Sequence, residues 1–183
     1  LSATLWTIGH STRPIDEFLA LLKAHGIQQV VDVRTVPKSR HNPQFNTDQL
    51  AKSLKHAGLA YQHMPQLGGL RKVKKDSINT GWRNASFRGY ADYMQTNQFW
   101  TALEGLMSSA KMKPTAIMCA EAVPWRCHRS LIADALVSRG WAVLDIMTEQ
   151  RATPHTLTPF AKVARGRVTY PAPSDERTPR LFD

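Results

Sequence analysis

A chain of 183 residues, 42% of them apolar, can bury one sizeable core and has too little material for a second independent one. The apolar fraction excludes a natively disordered chain, and no apolar run approaches the length that crosses a bilayer. The formal charge of +10 favours anionic partners such as nucleic acid, nucleotides or phosphorylated small molecules, and does not bear on the fold.

The opening stretch, LSATLWTIGHS, has no charged leader and no long apolar segment, so no secretory signal is expected. A cytoplasmic location follows as the expectation, and there two cysteines are thiols rather than a permanent bridge. Residues 4–9 (TLWTIG) form a short apolar run closed by glycine and read as a buried strand. A helix follows. Ser11 or Thr12 is placed to cap it, Pro14 suits its first turn, Asp16 and Glu17 match its positive end, and Phe18, Leu21 and Leu22 repeat at helical spacing. Residues 28–34 (QQVVDVR) read as a second strand, 47–58 as a helix with Leu50 and Leu54 on one face, and 59–64 as a third strand.

Residues 65–88 form a basic, glycine-containing insertion, and 89–110 read as helical with a break near Asn97. A fourth strand is expected over 115–120, a helix over 127–140 and a fifth strand over 141–147. Beyond residue 150 the periodicity fades. Five of the eleven prolines fall between Pro154 and Pro179, which reads as a C-terminal arm on the surface. The expected organisation is one α/β domain over residues 1–150, with its insertion at about 65–88, and an arm over 151–183.

Buried strands alternating with helices predict a three-layer, Rossmann-like α/β fold, with a mostly parallel five-stranded sheet between two layers of helices. Right-handed crossovers favour the strand order 3-2-1-4-5. Ligands of such sheets bind beyond the carboxyl ends of the strands, where the strand order reverses. That rule brings residues 9–11, 34–40 and 119–129 to one rim.

The last of these segments, CAEAVPWRCHR, holds both cysteines. Cys127 opens a helix, where the dipole and the flanking Arg126, His128 and Arg129 favour a thiolate. Cys119 ends a strand in the crevice itself and is better placed to touch substrate. Either cysteine is equally readable as a small buried core residue. Glu121 is a candidate general acid or base, or the ion-pair partner of Arg126 or Arg129. The seven-residue gap between the cysteines fits no zinc-knuckle spacing, so no metal is expected, and no cofactor either. A strand, loop and helix N-terminus with Arg126 and Arg129 make an anion cradle. The spacing from Cys119 to Arg126 resembles the Cys-loop-Arg cradle of protein tyrosine phosphatases only loosely, having six intervening residues instead of five.

His10 and Ser11 follow the first strand, as site residues or as a buried histidine beside a helix cap. Asp32 lies inside a strand and needs a partner, which Arg34 or Arg40 can supply. Arg34, Ser39, Arg40 and Lys38 are candidate anion contacts. Residues 71–90 interleave cations with Trp82, Phe87 and Tyr90, a pattern that suits single-stranded nucleic acid or a solvated loop whose rings cover the core.

Several of these stretches together resemble one family, the bacterial and archaeal domain of unknown function 488. They are TIGHS at 7–11, the DVR..P.SR pattern from Asp32 to Arg40, Phe45 and Asn46, LGG at 67–69, W.N..FRGYADYM at 82–94, and Cys119, Glu121, Cys127, His128 and Arg129. The likeness runs from about residue 4 to 150. Where members of the family often carry a histidine in the last strand, this chain has Asp145. The resemblance implies a fold and a site on the same rim, and no activity.

The expected protein is an intracellular enzyme acting on an anionic substrate. Catalytic candidates are His10, Cys119, Glu121, Cys127 and His128, and binding candidates are Ser11, Arg34, Ser39, Arg40 and Arg129. Two alternatives stand beside it: a non-catalytic nucleic-acid-binding accessory protein, and a thiol-based metal or redox sensor. An anionic small molecule or nucleic acid is the expected partner, and a membrane is not. The oligomeric state is left open.

Overall fold

The computed structural model describes residues 2–173. Its main sheet has six strands: β1 (Thr4–Gly9), β2 (Gln29–Asp32), β3 (Ala60–His63), β4 (Thr115–Cys119), β5 (Ala142–Thr148) and β6 (Arg151–Pro154). Their spatial order is β3-β2-β4-β1-β5-β6. The first five pair in parallel, and β6 runs antiparallel along β5. The helices are α1 (Ile15–Ala24), α2 (Thr47–His56), α3 (Ala85–Tyr93), α4 (Asn97–Met112) and α5 (Arg129–Ser138). A small hairpin, β7 (Lys162–Ala164) and β8 (Arg167–Thr169), completes the described chain. No helix among the described residues is long and apolar enough to cross a membrane.

The expected order 3-2-1-4-5 is corrected at its centre: β4 lies between β2 and β1, and β1 lies beside β5. A fully apolar run shows that a strand is covered on both faces, and says nothing about its neighbours. All five residues of β4 are buried, which suits an inner place without specifying which one. The five-strand expectation is also corrected. The sixth strand, RATP, carries no apolar signal because it is an edge strand held by backbone pairing, and its proline falls at its end.

Alternate residues of each strand enter different cores. Ile8, Val30, Ala116, Met118 and Ile146 pack with Phe18, Leu21 and Leu22 of α1 and Leu50 and Leu54 of α2. Leu5, Val31, Val33, Ile117 and Val143 pack with residues of α3, α4 and α5. This period of two is what a pleated strand imposes. The β1-to-β2 connection steps over β4, and the β4-to-β5 connection steps over β1 in the opposite direction. The chain therefore leaves β1 and β4 toward opposite faces, and a crevice opens between their ends.

The first helix starts differently from the expectation. Its N-cap is Pro14, without a side-chain cap. Ser11 sits at a φ of 51° and donates its backbone N–H to Ala120, so it is tied to the β4 loop and not to the helix. The expected break near Asn97 falls between α3 and α4, where Thr96 caps α4 by accepting from the Phe99 amide.

The interleaved rings of residues 71–90 turn inward. Trp82 packs against Phe87, Phe160 and Tyr170, and Tyr90 is fully buried. Beyond the β6 pairing and the packing of Phe160 and Tyr170, residues 155–170 gather on one carboxylate. Asp134, buried on α5, accepts from Tyr170 Oη (2.7 Å), Thr158 Oγ1 (2.7 Å) and the Thr158 amide (3.0 Å), and lies 2.8 Å from His155 Nε2. The last part of the proposed arm, residues 174–183, lies outside the described residues.

Replacing Asp134 strands four polar groups at once. Asp134→Ala is expected to lower unfolding free energy by about 3 kcal/mol in urea titration and to expose the chain beyond residue 150 to limited proteolysis. Unchanged stability and unchanged cleavage would show that the carboxylate does not anchor that segment.

Candidate functional site

At the carboxyl ends of β1, β2 and β4 lies an open cleft of about 1040 Å³. His10, Ser11, Arg34, Ser39, Cys119, Glu121, Cys127 and His128 line it. Arg129 stands behind Cys119, only 1% exposed. Arg40 is exposed and is not among the lining residues. The close approach of β1 to the β4 loop depends on Gly9, because a β-carbon there would run into the carbonyl of Glu121.

Arg129 binds four groups from two stretches of chain, Thr7 on β1 and Cys119–Ala122 at the end of β4. Its Nη1 lies 2.7 Å from Cys119 Sγ and donates to the Glu121 carbonyl, Nη2 donates to the Ala122 carbonyl at 3.1 Å, and Nε donates to Thr7 Oγ1 at 3.2 Å. Thr7 passes its own hydroxyl hydrogen to Asp145 Oδ1 at 2.5 Å. The cation is thus joined through a hydroxyl to a buried carboxylate on β5. Burial pulls the guanidinium down to about 10, against the attraction of Asp145 and Glu121. It remains charged at neutral pH.

The two sulfurs touch, and the α-carbons of Cys119 and Cys127 are 7.5 Å apart. That is wider than the roughly 4.4–6.8 Å that disulfides usually span, so a relaxed bridge needs the backbone to move. The surroundings of the two sulfurs differ. Cys119 receives the guanidinium. Cys127 receives the Arg129 backbone N–H at 3.5 Å and lies 3.6 Å from His128 Nδ1. His128 Nε2 lies 2.9 Å from the Val33 carbonyl, which can only accept, so Nε2 carries the hydrogen and the lone pair of Nδ1 faces Cys127 Sγ. Gly69 leaves room for this ring: a β-carbon there would come within 2.7 Å of Nδ1.

On the other side of the cleft, Asp32 and Arg34 form a buried fork. Nε donates to Oδ1 at 2.9 Å and Nη2 to Oδ2 at 2.7 Å. Nη2 also donates to the Phe45 carbonyl, and Nη1 donates to His10 Nε2 at 3.2 Å. The partner of Asp32 is therefore Arg34, not Arg40. Of the five guanidinium hydrogens, one on Nη1 is left over for a ligand. His10 gives its Nδ1 hydrogen to the Ser11 carbonyl at 2.8 Å and stacks on Phe45, with ring centroids 4.2 Å apart. Both of its nitrogens are engaged within the protein, Nε2 by Arg34 and Nδ1 by the Ser11 carbonyl. Ser39 likewise shapes its turn, accepting from the Asn42 amide and donating its own amide to Asn46 Oδ1.

The lip of the cleft carries Lys38 and Arg126 as exposed cations. Val36, Leu70 and Trp125 stand there as exposed apolar side chains, Trp125 at 64%. Glu121 is exposed, and among the described residues its carboxylate pairs with neither Arg126 nor Arg129; Arg129 takes its backbone carbonyl instead. No three His, Cys, Asp or Glu side chains among the described residues converge as metal ligands. Thr7, Asp145, Gly69 and Phe45 support the site and were not among the expected functional residues. The motif positions of Thr7, Gly69 and Phe45, and the place of Asp145 where the family often carries a histidine, were the sequence's signs of them.

A family model described as "Domain of unknown function DUF488" matches residues 14–136, more than half of the chain. The chain belongs to the DUF488 family. No curated protein and no solved structure matches it. The matched span takes in Arg34, the insertion and the Cys119–Arg129 segment, and leaves His10, Ser11 and Asp145 outside. In this DUF488 chain His155 lies between two carboxylates, with Nε2 2.8 Å from Asp134 Oδ1 and Nδ1 3.9 Å from Asp145 Oδ2.

Burial holds both His10 and His128 neutral, pushed down to about 4 from 6.5. The unfolded chain protonates them first as pH falls. Their contribution to stability is therefore intact above about pH 6.5 and lost on the way to pH 4, with a slope of up to about 1.4 kcal/mol per pH unit for each ring. Urea unfolding across this range is expected to show that slope and to show it reduced in His10→Asn and in His128→Gln. Variants as pH-sensitive as the parent would refute the assignment.

Proposed function

We propose that this DUF488 protein is a cytoplasmic enzyme, built on a Rossmann-like domain, that attacks an anionic substrate with the Cys119 thiolate. The observation that carries the reading is the buried Arg129 guanidinium 2.7 Å from the Cys119 sulfur on the floor of the cleft. A fixed cation at that distance, shielded from water, favours the thiolate over the thiol, and the thiolate is the nucleophile. The sulfur attacks an electrophilic centre of the substrate and the leaving group departs, so the group transferred rests on sulfur until water or a second acceptor takes it.

The leaving group takes its proton from solvent, and Glu121 acts as the general base that takes a proton from the water releasing the group from sulfur. Its carboxylate stands at the lip without an ion-pair partner among the described residues, which leaves it free for that exchange. Lys38, Arg126 and the remaining Arg34 hydrogen hold the negative charge of the substrate. Phosphorylated and nucleotide compounds fit this chemistry. Trp82 and Tyr90 serve the core, so the nucleic-acid-binding alternative would have to stack bases on Phe87 and Trp125, which line the cleft.

Alkylation tests the reading with two reagents of one size and opposite character. Relative to a free thiol, Cys119 is expected to prefer anionic iodoacetate over neutral iodoacetamide by at least about tenfold. Lys38→Ala with Arg126→Ala is expected to abolish that preference. A Cys119 unreactive to both reagents in the folded protein, or one with the preference of free cysteine, would overturn the proposal.

A further inference from the structure

We infer that Cys119 and Cys127 form a working dithiol, in which Cys119 is oxidised by a hydroperoxide and Cys127 resolves it to an intramolecular disulfide. The inference rests on the thiolate half of the reading above. It goes beyond it by giving the second cysteine, and the histidine beside it, a chemical role.

The two sulfurs are in contact at the floor of one cleft, and their neighbours make them unequal. Cys119 faces a cation and is the attacking sulfur. Cys127 faces the lone pair of His128 Nδ1 at 3.6 Å, which is the arrangement of a thiol about to lose its proton. His128 cannot turn away, because its Nε2 hydrogen is held by the Val33 carbonyl and its ring packs on Tyr90, with centroids 5.1 Å apart.

In the first step the Cys119 thiolate attacks the terminal oxygen of the hydroperoxide. The O–O bond breaks, sulfur is oxidised to the sulfenic acid, and the alkoxide leaves to be protonated by water. In the second, Cys127 attacks the Cys119 sulfur, and its proton passes by way of His128 Nδ1 to the departing hydroxide, giving the disulfide and water. An external dithiol reductant restores both thiols and is itself oxidised to a disulfide.

Bridging has a structural consequence. The α-carbons must close from 7.5 Å, so the loop between them, which carries Glu121, Trp125 and Arg126 on the lip, has to move. The sulfur beside Arg129 also ceases to be an anion. Oxidation therefore removes the nucleophile of the proposed enzyme and shifts the loop at its lip.

The experiment is titration of the full chain with one equivalent of hydrogen peroxide, followed by intact mass and thiol counting. The parent is expected to lose both thiols and two hydrogens in mass, to run as a single chain on a denaturing gel without reductant, and to recover on addition of dithiothreitol. Cys127→Ser is expected to stop at a Cys119 sulfenic acid that dimedone traps, and Cys119→Ser to keep its Cys127 thiol. A parent that stops at sulfenic or sulfinic acid, bridges only between molecules, or does not react would overturn the inference. If iodoacetate labelling of Cys119 behaves as proposed in that same preparation, the dithiol fails while the enzyme reading stands. A bridge formed without any anion preference sinks the anionic substrate and leaves the dithiol.

Discussion

A buried guanidinium is the constraint around which this molecule is arranged. Arg129 begins α5, yet its side chain reaches β1 through Thr7 and holds the loop after β4 by two carbonyls and a sulfur. Taking such a charge out of water costs several kcal/mol unless donors and partners are matched. Here the match comes from segments more than a hundred residues apart, with Asp145 as the balancing anion behind Thr7. Breaking any one contact would leave a buried charge poorly solvated, so β1, β4, β5 and α5 are obliged to meet in one geometry.

The opposite wall repeats the device. Asp32 and Arg34 leave β2 two residues apart and close on each other, and the Arg34 amide and the Tyr61 hydroxyl also donate to the carboxylate. His10 and Phe45 lock the pair against the end of β1. Both walls of the cleft are thus rigid polar clusters, while the lip carries exposed cations and apolar side chains. A rigid floor under a solvated lip is the division of labour that pre-organised chemistry uses.

The placement of chemistry was more legible than the placement of strands. Each βα corner was marked by a break from apolar to polar residues, so the rim of residues 9–11, 34–40 and 119–129 emerged from periodicity and a general rule about parallel sheets. The order β2-β4-β1 did not, because equal burial makes inner strands interchangeable on paper. β6 was invisible for the opposite reason: its pairing is made by backbone, and its side chains are only partly covered. Arg40 and Arg34 look alike as loop cations, and only the direction of the chain after Asp32 separates a buried fork from a solvated charge.

The sequence by itself determined the alternation of strands and helices, the family, and the thiols, cations and histidines gathered at one rim, because periodicity and residue chemistry are local properties. Tertiary structure alone decided that Arg129 meets the Cys119 sulfur and not the Glu121 carboxylate, that Arg34 donates to His10, and that the two cysteines touch. Those relations depend on distances between segments that the chain brings together only when β4 slots between β1 and β2, and no spacing along the sequence encodes that distance.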